Sequence, residues 1–537
     1  MTALALELKL KVADLGYATY QSDLSLQDGV TSFLGIRYAA PLTGNLRWRA
    51  PQLPSHVSGI QNATQAPLQC FQSGALTGTA GTALINRFRT NSNFSQVSSG
   101  PDPALDATST EDCLFLNVHT PTFATEHSRL PVIVYLHGGG YDAGNISLYP
   151  TQDFVTLSRL GVVAVSVQYR LGAFGFLAGE EVKEGGNLNV GLLDQNFALQ
   201  WVQKHISVFG GDPNAVTIWG QSAGAGAVLQ HVVAHGGNTQ PPLFRAALAN
   251  SPYLPFQYAY NDPITETLFD DVASFARCDQ APNRLDCLRS VDPSILTNAD
   301  TAIGSASFMG TYTFVPVVDG SFIVERPSIT LNGHRRNGRD SLLVTTNSAE
   351  GASFFVFPDI LVANNFTLTQ YITQLFPRLS EQQVRTAVSS YSKLASSSVS
   401  DQATKVMGEA IFTCPAYWMA AAFGKTGWKA EFAIPPGLHA EDLSYDFFTF
   451  AIPPTFTNAA FLDAWRQSFI SIAISLDPNI HSQPSLLPIW ADWVHEHTEM
   501  MFNKTEDDVP VVNTAHTGSD VLDRCAFWDS VAGVTAQ

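Results

Sequence analysis

Ala215-Val216-Thr217-Ile218-Trp219 runs into Gly220-Gln221-Ser222-Ala223-Gly224, and then into the small-residue run Ala225–Val233. The first five residues are rich in β-branched and aromatic side chains, which suit a strand. The run after Gly224 suits a helix packed close to a sheet. A serine between the two sits on a sharp strand-to-helix turn, where strained backbone angles are expected. Small residues two positions before and two after Ser222 let strand and helix approach closely enough to make that turn. The helix N-terminus also aims free N–H groups and the positive end of its dipole at the serine.

Working outward, Leu130–Leu136 (LPVIVYL) reads as a buried strand that enters His137-Gly138-Gly139-Gly140. Val162–Val167 reads as another strand. Asn187–Phe209 carries Leu192, Phe197, Leu199, Trp201 and Val202 near helical spacing, and Gly210-Gly211-Asp212-Pro213 ends it. Leu342–Thr346 and Ala430–Ala433 supply later strands. Near the start, Leu6–Ala13 and Thr31–Tyr38 read as short strands, with a turn at Gln27-Asp28-Gly29. Strands separated by helical crossovers imply a mostly parallel, buried central sheet flanked by helices, an α/β class. Stretches 255–340 and 355–428 read as helical or irregular insertions. No repeat or linker appears, so one domain over 1–537 is expected, against a two-domain division near residue 340.

Composition narrows the function. The 537 residues are 45% hydrophobic and 14% charged, enough to bury a large core and unlike a disordered chain. The net charge of −18 opposes phosphate backbones and anionic membranes, so nucleic-acid binding is excluded as a leading function. The longest uncharged stretches, 51–86 and 213–244, are broken by Gln, Asn, Gly and Pro, so no transmembrane segment is expected.

A serine hydroxyl needs a base to become a nucleophile near neutrality. His231 and His235 fall on or just after the helix that follows Ser222, pointing away from its N-terminus. His439, in Gly437-Leu438-His439-Ala440-Glu441, follows a strand-like run, where a late base belongs. His481, His495, His497 and His516 remain alternatives. The acid that orients such a histidine is sought between serine and base. Glu350 follows the Leu342–Thr346 strand, and Asp319 and Asp340 compete with it on position. Gly138–Gly140 at a strand end can turn amides toward a developing oxyanion, as can the amide of Ala223. No Lys-Ser/Thr follows that loop and no Gly-x-Gly-x-x-Gly helix opens, so a nucleotide is not expected. His495-Glu496-His497 lacks metal-ligand spacing and reads as a solvated helix face. No cofactor and no metal are expected.

Together these segments resemble the type-B carboxylesterase/lipase family of the α/β-hydrolase superfamily, which includes cholinesterases and fungal lipases and sterol esterases. The matching stretches are Phe33–Ala39, Glu111–Val118, His137–Tyr141, Tyr169–Gly172, Gly191–Gln195, Phe209–Pro213 and Gly220–Gly224, with sparser matches at Glu350-Gly351 and His439-x-x-Asp442-Leu443. The resemblance implies an α/β-hydrolase fold and a Ser222, Glu350 and His439 triad. It implies an oxyanion hole from the amides of Gly139, Gly140 and Ala223. It also implies disulfides Cys70–Cys113 and Cys278–Cys287, with Cys414 and Cys525 where some members carry a third bridge. Ala349 and Ala440 depart from the Asp and Gly common at those positions. The loop 71–112 has no Trp or Tyr to stack on a quaternary ammonium, which disfavours choline esters. Its Gly, Ser, Thr and Asn, with scattered Phe71, Leu84, Ile85, Phe88 and Phe94, suggest a polar lid.

Six cysteines and the sequons at Asn62, Asn93, Asn145, Asn365 and Asn503 fit an extracellular protein. The first residues alternate with charge too early for a signal peptide, so secretion would need a leader outside this sequence. The expected function is a secreted carboxylic-ester hydrolase acting on a small-molecule ester. The alternatives are a lipase or sterol esterase and, in another class, a catalytically inactive adhesion module.

Overall fold

In the computed structural model, residues 10–22, 29–73, 108–354, 366–394, 398–481 and 483–537 are described. The expectations at Leu6–Lys9, Gln27, Asp28, residues 74–107, Asn93 and Asn365 lie outside them. Ten strands form the central sheet: β1 (Val30–Arg37), β2 (Phe115–Pro121), β3 (Leu130–Leu136), β4 (Val163–Val167), β5 (Gly211–Gln221), β6 (Ala246–Asn250), β7 (Ser341–Asn347), β8 (Gly427–Phe432), β9 (Thr498–Lys504) and β10 (Pro510–His516). Their spatial order is β10-β9-β8-β7-β6-β5-β3-β4-β2-β1. From β4 through β9 every neighbouring pair is parallel, and antiparallel pairs close both edges.

Side chains alternate between two apolar layers along each central strand, as the pleat requires. Val132, Val134 and Leu136 of β3 enter the larger layer, and Ile133 and Tyr135 the smaller. In β7, Leu342 and Val344 face the first and Leu343 the second. Burial on both faces explains the near-continuous apolar strands. Helices α1 (Val190–His205) and α2 (Ala223–Gly237) follow the expected segments, α2 with a break at Ala234–Gly236. The insertion after β6 carries helices Pro263–Phe275, Arg284–Ser290 and α3 (Pro293–Ser305).

Two expectations change, and one central strand was not foreseen. The described part of the first segment, Val12–Asp14, pairs with Thr19–Ser22 in a separate three-stranded sheet. β6 has the sequence Ala-Ala-Leu-Ala-Asn, of weak strand propensity; its place between β5 and β7, both faces buried, overrides that propensity. His495-Glu496-His497 is exposed as expected but lies in a turn, with Glu496 and His497 at positive φ, and not on a helix face. No helix among the described residues is long and apolar enough to cross a membrane.

Disulfides join Cys70 to Cys113, Cys278 to Cys287 and Cys414 to Cys525. Beside the last, Arg524 donates to both oxygens of buried Glu409 at 2.7 and 2.8 Å, which fixes the helix Ser519–Thr535 to the body.

Trp219, at the end of β5, lies between Phe154 (centroids 4.4 Å apart) and Phe469 (4.7 Å), and its Nε1–H donates to Asn250 Oδ1 at 3.0 Å. Trp219→Ala is therefore expected to lower stability by about 3–5 kcal/mol through lost burial and a residual cavity, read by denaturant unfolding.

Candidate active site

The turn after β5 leaves no room for side chains. A Cβ at Gly220 would lie 2.4 Å from the Gly224 backbone, and one at Gly224 would lie 2.1 Å from Leu136 O. Ser222 between them adopts φ 58° and ψ −125°, a region L-residues rarely occupy. Its N–H donates to Asn250 O at the end of β6 (2.9 Å), which pins the turn to the next strand.

His439 bridges two of the sequence-picked residues. Its Nε2 is 2.8 Å from Ser222 Oγ, and its Nδ1 is 2.5 Å from Glu350 Oε2. Because a carboxylate only accepts, Nδ1 carries the hydrogen and Nε2 is left to accept from the serine. The loops that carry the acid and the histidine are zipped together: Ser348 N–H donates to Phe432 O (3.0 Å) and Ala349 N–H to Gly437 O (2.8 Å). All three side chains therefore stand at the C-terminal ends of parallel strands β5, β7 and β8, where open α/β sheets place their ligand crevices.

Behind Glu350 lies a polar network that sequence reasoning missed. Glu350 Oε1 accepts from Ser251 Oγ (2.5 Å) and from Asn347 N–H (2.6 Å). Asn347 Nδ2 donates to Asp442 Oδ1 (3.0 Å), and Asn250 Nδ2 reaches Asp442 Oδ2 (2.9 Å) and Asp446 Oδ2 (3.1 Å). Trp465 Nε1–H donates to Asp446 Oδ1 (2.8 Å). Burial pushes the Asp442 carboxyl up; burial and the charge of Asp442 push Asp446 well above the usual carboxylate range. Asn250 and Asn347 end strands β6 and β7, and that position was the one signal available.

The glycine-rich loop after β3 faces the same turn. His137 is buried and stacks on Tyr169, with centroids 4.4 Å apart; burial lowers its pKa to about 4, so the ring is neutral. Its Nδ1–H then donates to Gly138 O at 2.9 Å and shapes the loop. A Cβ on Gly140, at φ 69°, would land 2.0 Å from the ring of Tyr312, so only glycine fits there. Among the described residues, the amides of Gly139, Gly140 and Ala223 donate to no protein acceptor. Aromatic rings enclose the imidazole: Phe412 and Phe354 lie 4.6 and 5.1 Å from it, and Tyr253 links Phe412 to Tyr312. Tyr312 also lines a cavity of about 50 Å³ with Phe256, Ile264, Leu268, Phe308 and Leu375.

The competing residues are held elsewhere. Asp319 is buried and accepts from Asn189 Nδ2 (2.6 Å) and from the N–H groups of Ser321 and Phe322. Asp340 is exposed. His231 pairs with Gln195, His235 with Thr239, and His516 with the Glu496 carbonyl.

Residues 19–503 match the model of the carboxylesterase family. The chain belongs to that family. It is a serine carboxylic-ester hydrolase of the α/β-hydrolase fold. It is 28% identical to the carboxylesterase patB of Aspergillus clavatus, over 97% of this chain and 96% of that one. It is 33% identical to secreted lipase 1 of Botryotinia fuckeliana, over 65% of this chain and 60% of that protein's length. The crystal structure of Aspergillus niger EstA superposes with a TM-score of 0.84 at 29% identity, covering 98% of this chain and 99% of that one.

One departure from the family pattern has a conformational consequence. Ala440, directly after His439, sits at φ 70°, where its Cβ crowds the backbone. Ala440→Gly is expected to raise stability by about 1 kcal/mol, since relief of the left-handed strain outweighs the added freedom of the unfolded chain. Equilibrium denaturation checks this; a loss of stability would contradict it.

Proposed function

We propose that Ser222 is the nucleophile of an ester hydrolase, with His439 as general base and Glu350 as its orienting acid. The observation that carries this reading is the hydrogen-bonded line from Ser222 Oγ through His439 to Glu350. His439 Nε2 takes the hydroxyl proton as Oγ attacks the ester carbonyl. The amides of Gly139, Gly140 and Ala223 receive the negative charge of the tetrahedral intermediate. The imidazolium returns its proton to the departing alcohol, and water then repeats the cycle on the acyl-enzyme. Ser251 Oγ and Asn347 N–H hold the far oxygen of Glu350, and Asp442 in turn anchors Asn347, so the acid stays turned toward the imidazole.

Short-to-medium acyl or aryl esters fit best. The aromatic wall beside His439 suits an apolar acyl group, and the polar composition of 71–112 offers little apolar surface to a long chain. Each further methylene would gain about 0.8 kcal/mol only if space existed to bury it. Secretion is supported by the three disulfides and by Asn62, which is exposed on the strand Ile60–Ala63. Asn145 is tied down, its Nδ2 donating to Gln69 Oε1 at 2.7 Å, and Asn503 is half-buried in β9. Asn62 is accordingly the sequon best placed among the described ones. We read the 537 residues as one domain, because β7 lies inside the continuous sheet.

Ser222→Ala is expected to lower kcat by about 10³-fold or more while circular dichroism and melting are kept. His439→Ala should cost more than Glu350→Gln, because the imidazole itself takes the serine proton while the carboxylate only orients it. Near-normal turnover by Ser222→Ala would end this account. For substrate range, kcat/KM should be higher on p-nitrophenyl acetate and butyrate than on the palmitate or on emulsified triolein. A sharp rise in rate once droplets form would favour a lipase instead.

A further inference from the structure

We propose that Asp142 and Asp300 form a buried carboxyl pair, without a counter-ion, that positions the oxyanion loop. The proposal rests on the reading of Gly139 and Gly140 as oxyanion donors. Asp142 lies two residues beyond Gly140, and Asp300 lies on α3; each is 2% exposed. Oδ1 of each has no hydrogen-bond partner among the described residues. The ionisable groups that face Asp142 are Asp300, Tyr253 and Tyr312, none of them a cation. Two buried carboxylates without a counter-ion repel strongly, and such a pair is stable only while it keeps a proton.

The pair also grips the loop. Asp300 Oδ2 accepts from Ala173 N–H at 3.0 Å and occupies the space where a Cβ on Gly172 (φ 51°) would stand, 1.9 Å away. Gly172 N–H in turn donates to Tyr141 O at 2.8 Å. Asp142 N–H and Ala143 N–H both donate to Gly139 O, at 3.0 and 2.9 Å, and Asp142 O accepts from Ser73 N–H. The Asp300 carboxyl thus holds the carbonyl of Tyr141 through a single turn, while the backbone of Asp142 closes the loop onto Gly139 and sets its own carboxyl in the buried space beside it. Ionising both carboxyls would drive them apart and pull Tyr141 away from the loop that carries the oxyanion amides. Asp142 and Asp300 act through those amides, so they are positioning residues.

The protonation follows from the surroundings. Burial, and then the charge of Asp300, raise Asp142 well above the usual carboxylate range; burial raises Asp300 to about 7. An unfolded aspartate releases its proton near pH ~4. Between there and the folded value, the native protein holds protons that the unfolded chain has lost. The contribution of this pair to stability is therefore full below pH ~4 and falls as pH rises through about 7.

The test measures kcat, KM and the melting midpoint of the full chain from pH 5 to 9, for the wild type, D300N, D142N and D300A. In the wild type, kcat should decline on the alkaline side and the melting midpoint should fall across the same range. D300N keeps an acceptor for Ala173 N–H but no charge, so both slopes should flatten, and D142N should flatten them too. D300A loses the acceptor, and its kcat should drop about tenfold with KM changed less than about twofold, short of the ~10²–10³ lost with an oxyanion donor. Wild-type slopes in D300N, or an unchanged kcat in D300A, would overturn the proposal. If D300A does not fold, the slopes of D300N decide. Failure of the catalytic reading would show separately, as turnover by Ser222→Ala with the melting slopes still flattened in D300N.

Discussion

The site depends on how closely β5 and α2 approach at Ser222. Hydrogen is the largest group that fits at positions 220 and 224, and Gly224 abuts the carbonyl of Leu136, where β3 gives way to the glycine loop. One steric constraint therefore fixes the serine and the start of the oxyanion loop relative to each other. The turn also divides the amides. Ser222 N–H is used on Asn250 O, and the next amide, Ala223, at the first position of α2, has no partner in its own helix. The chain thus aims a free donor one residue past the proposed nucleophile without a side chain to do it.

Behind the site, electrostatics follow from burial. His119 and His137 are lowered to about 4 and His231 to about 3, chiefly by desolvation, so these rings stay neutral in the folded protein. The unfolded chain would protonate them below pH ~6.5, so their contribution is present above that value and is lost on acidification. Asp153 and Asp300 are raised to about 6 and 7, again by burial, and oppose this slope. The two sets act over overlapping ranges with opposite sign. Removing charge from one carboxyl is therefore visible as a change in slope even when net stability hardly moves.

Much of this arrangement is legible in the sequence, and the rest is hidden for a physical reason. Gly220–Gly224 and Gly138–Gly140 reveal themselves because a tight turn demands small residues at fixed local offsets. Leu130–Leu136 and Leu342–Thr346 reveal themselves because strands buried on both faces must be apolar throughout. The acid was different: position alone left Glu350, Asp319 and Asp340 open, and family resemblance favoured Glu350. The joint role of Ser251, Asn347 and Asp442 is hidden because Ser251 reaches Glu350 across 99 positions and Asn347 reaches Asp442 across 95. β6 escaped notice because alanine carries little strand signal, and its burial comes from neighbours far along the chain. His495–His497 was placed on a helix by local pattern, but positive φ at two successive residues makes a turn there.

The sheet and the insertions divide the work unevenly. Sheet ends hold Ser222, Glu350 and His439, while the insertion after β6 supplies Tyr312 to the glycine loop. These parts are not independent, because Gly140 lacks a Cβ where the ring of Tyr312 rests against it. The insertion therefore supports the loop proposed to stabilise the oxyanion, and a shift of the Tyr312 ring would remove the surface against which Gly140 packs. The amides of that loop act only once negative charge develops on the substrate, so a disturbance of Tyr312 is read in kcat more than in KM.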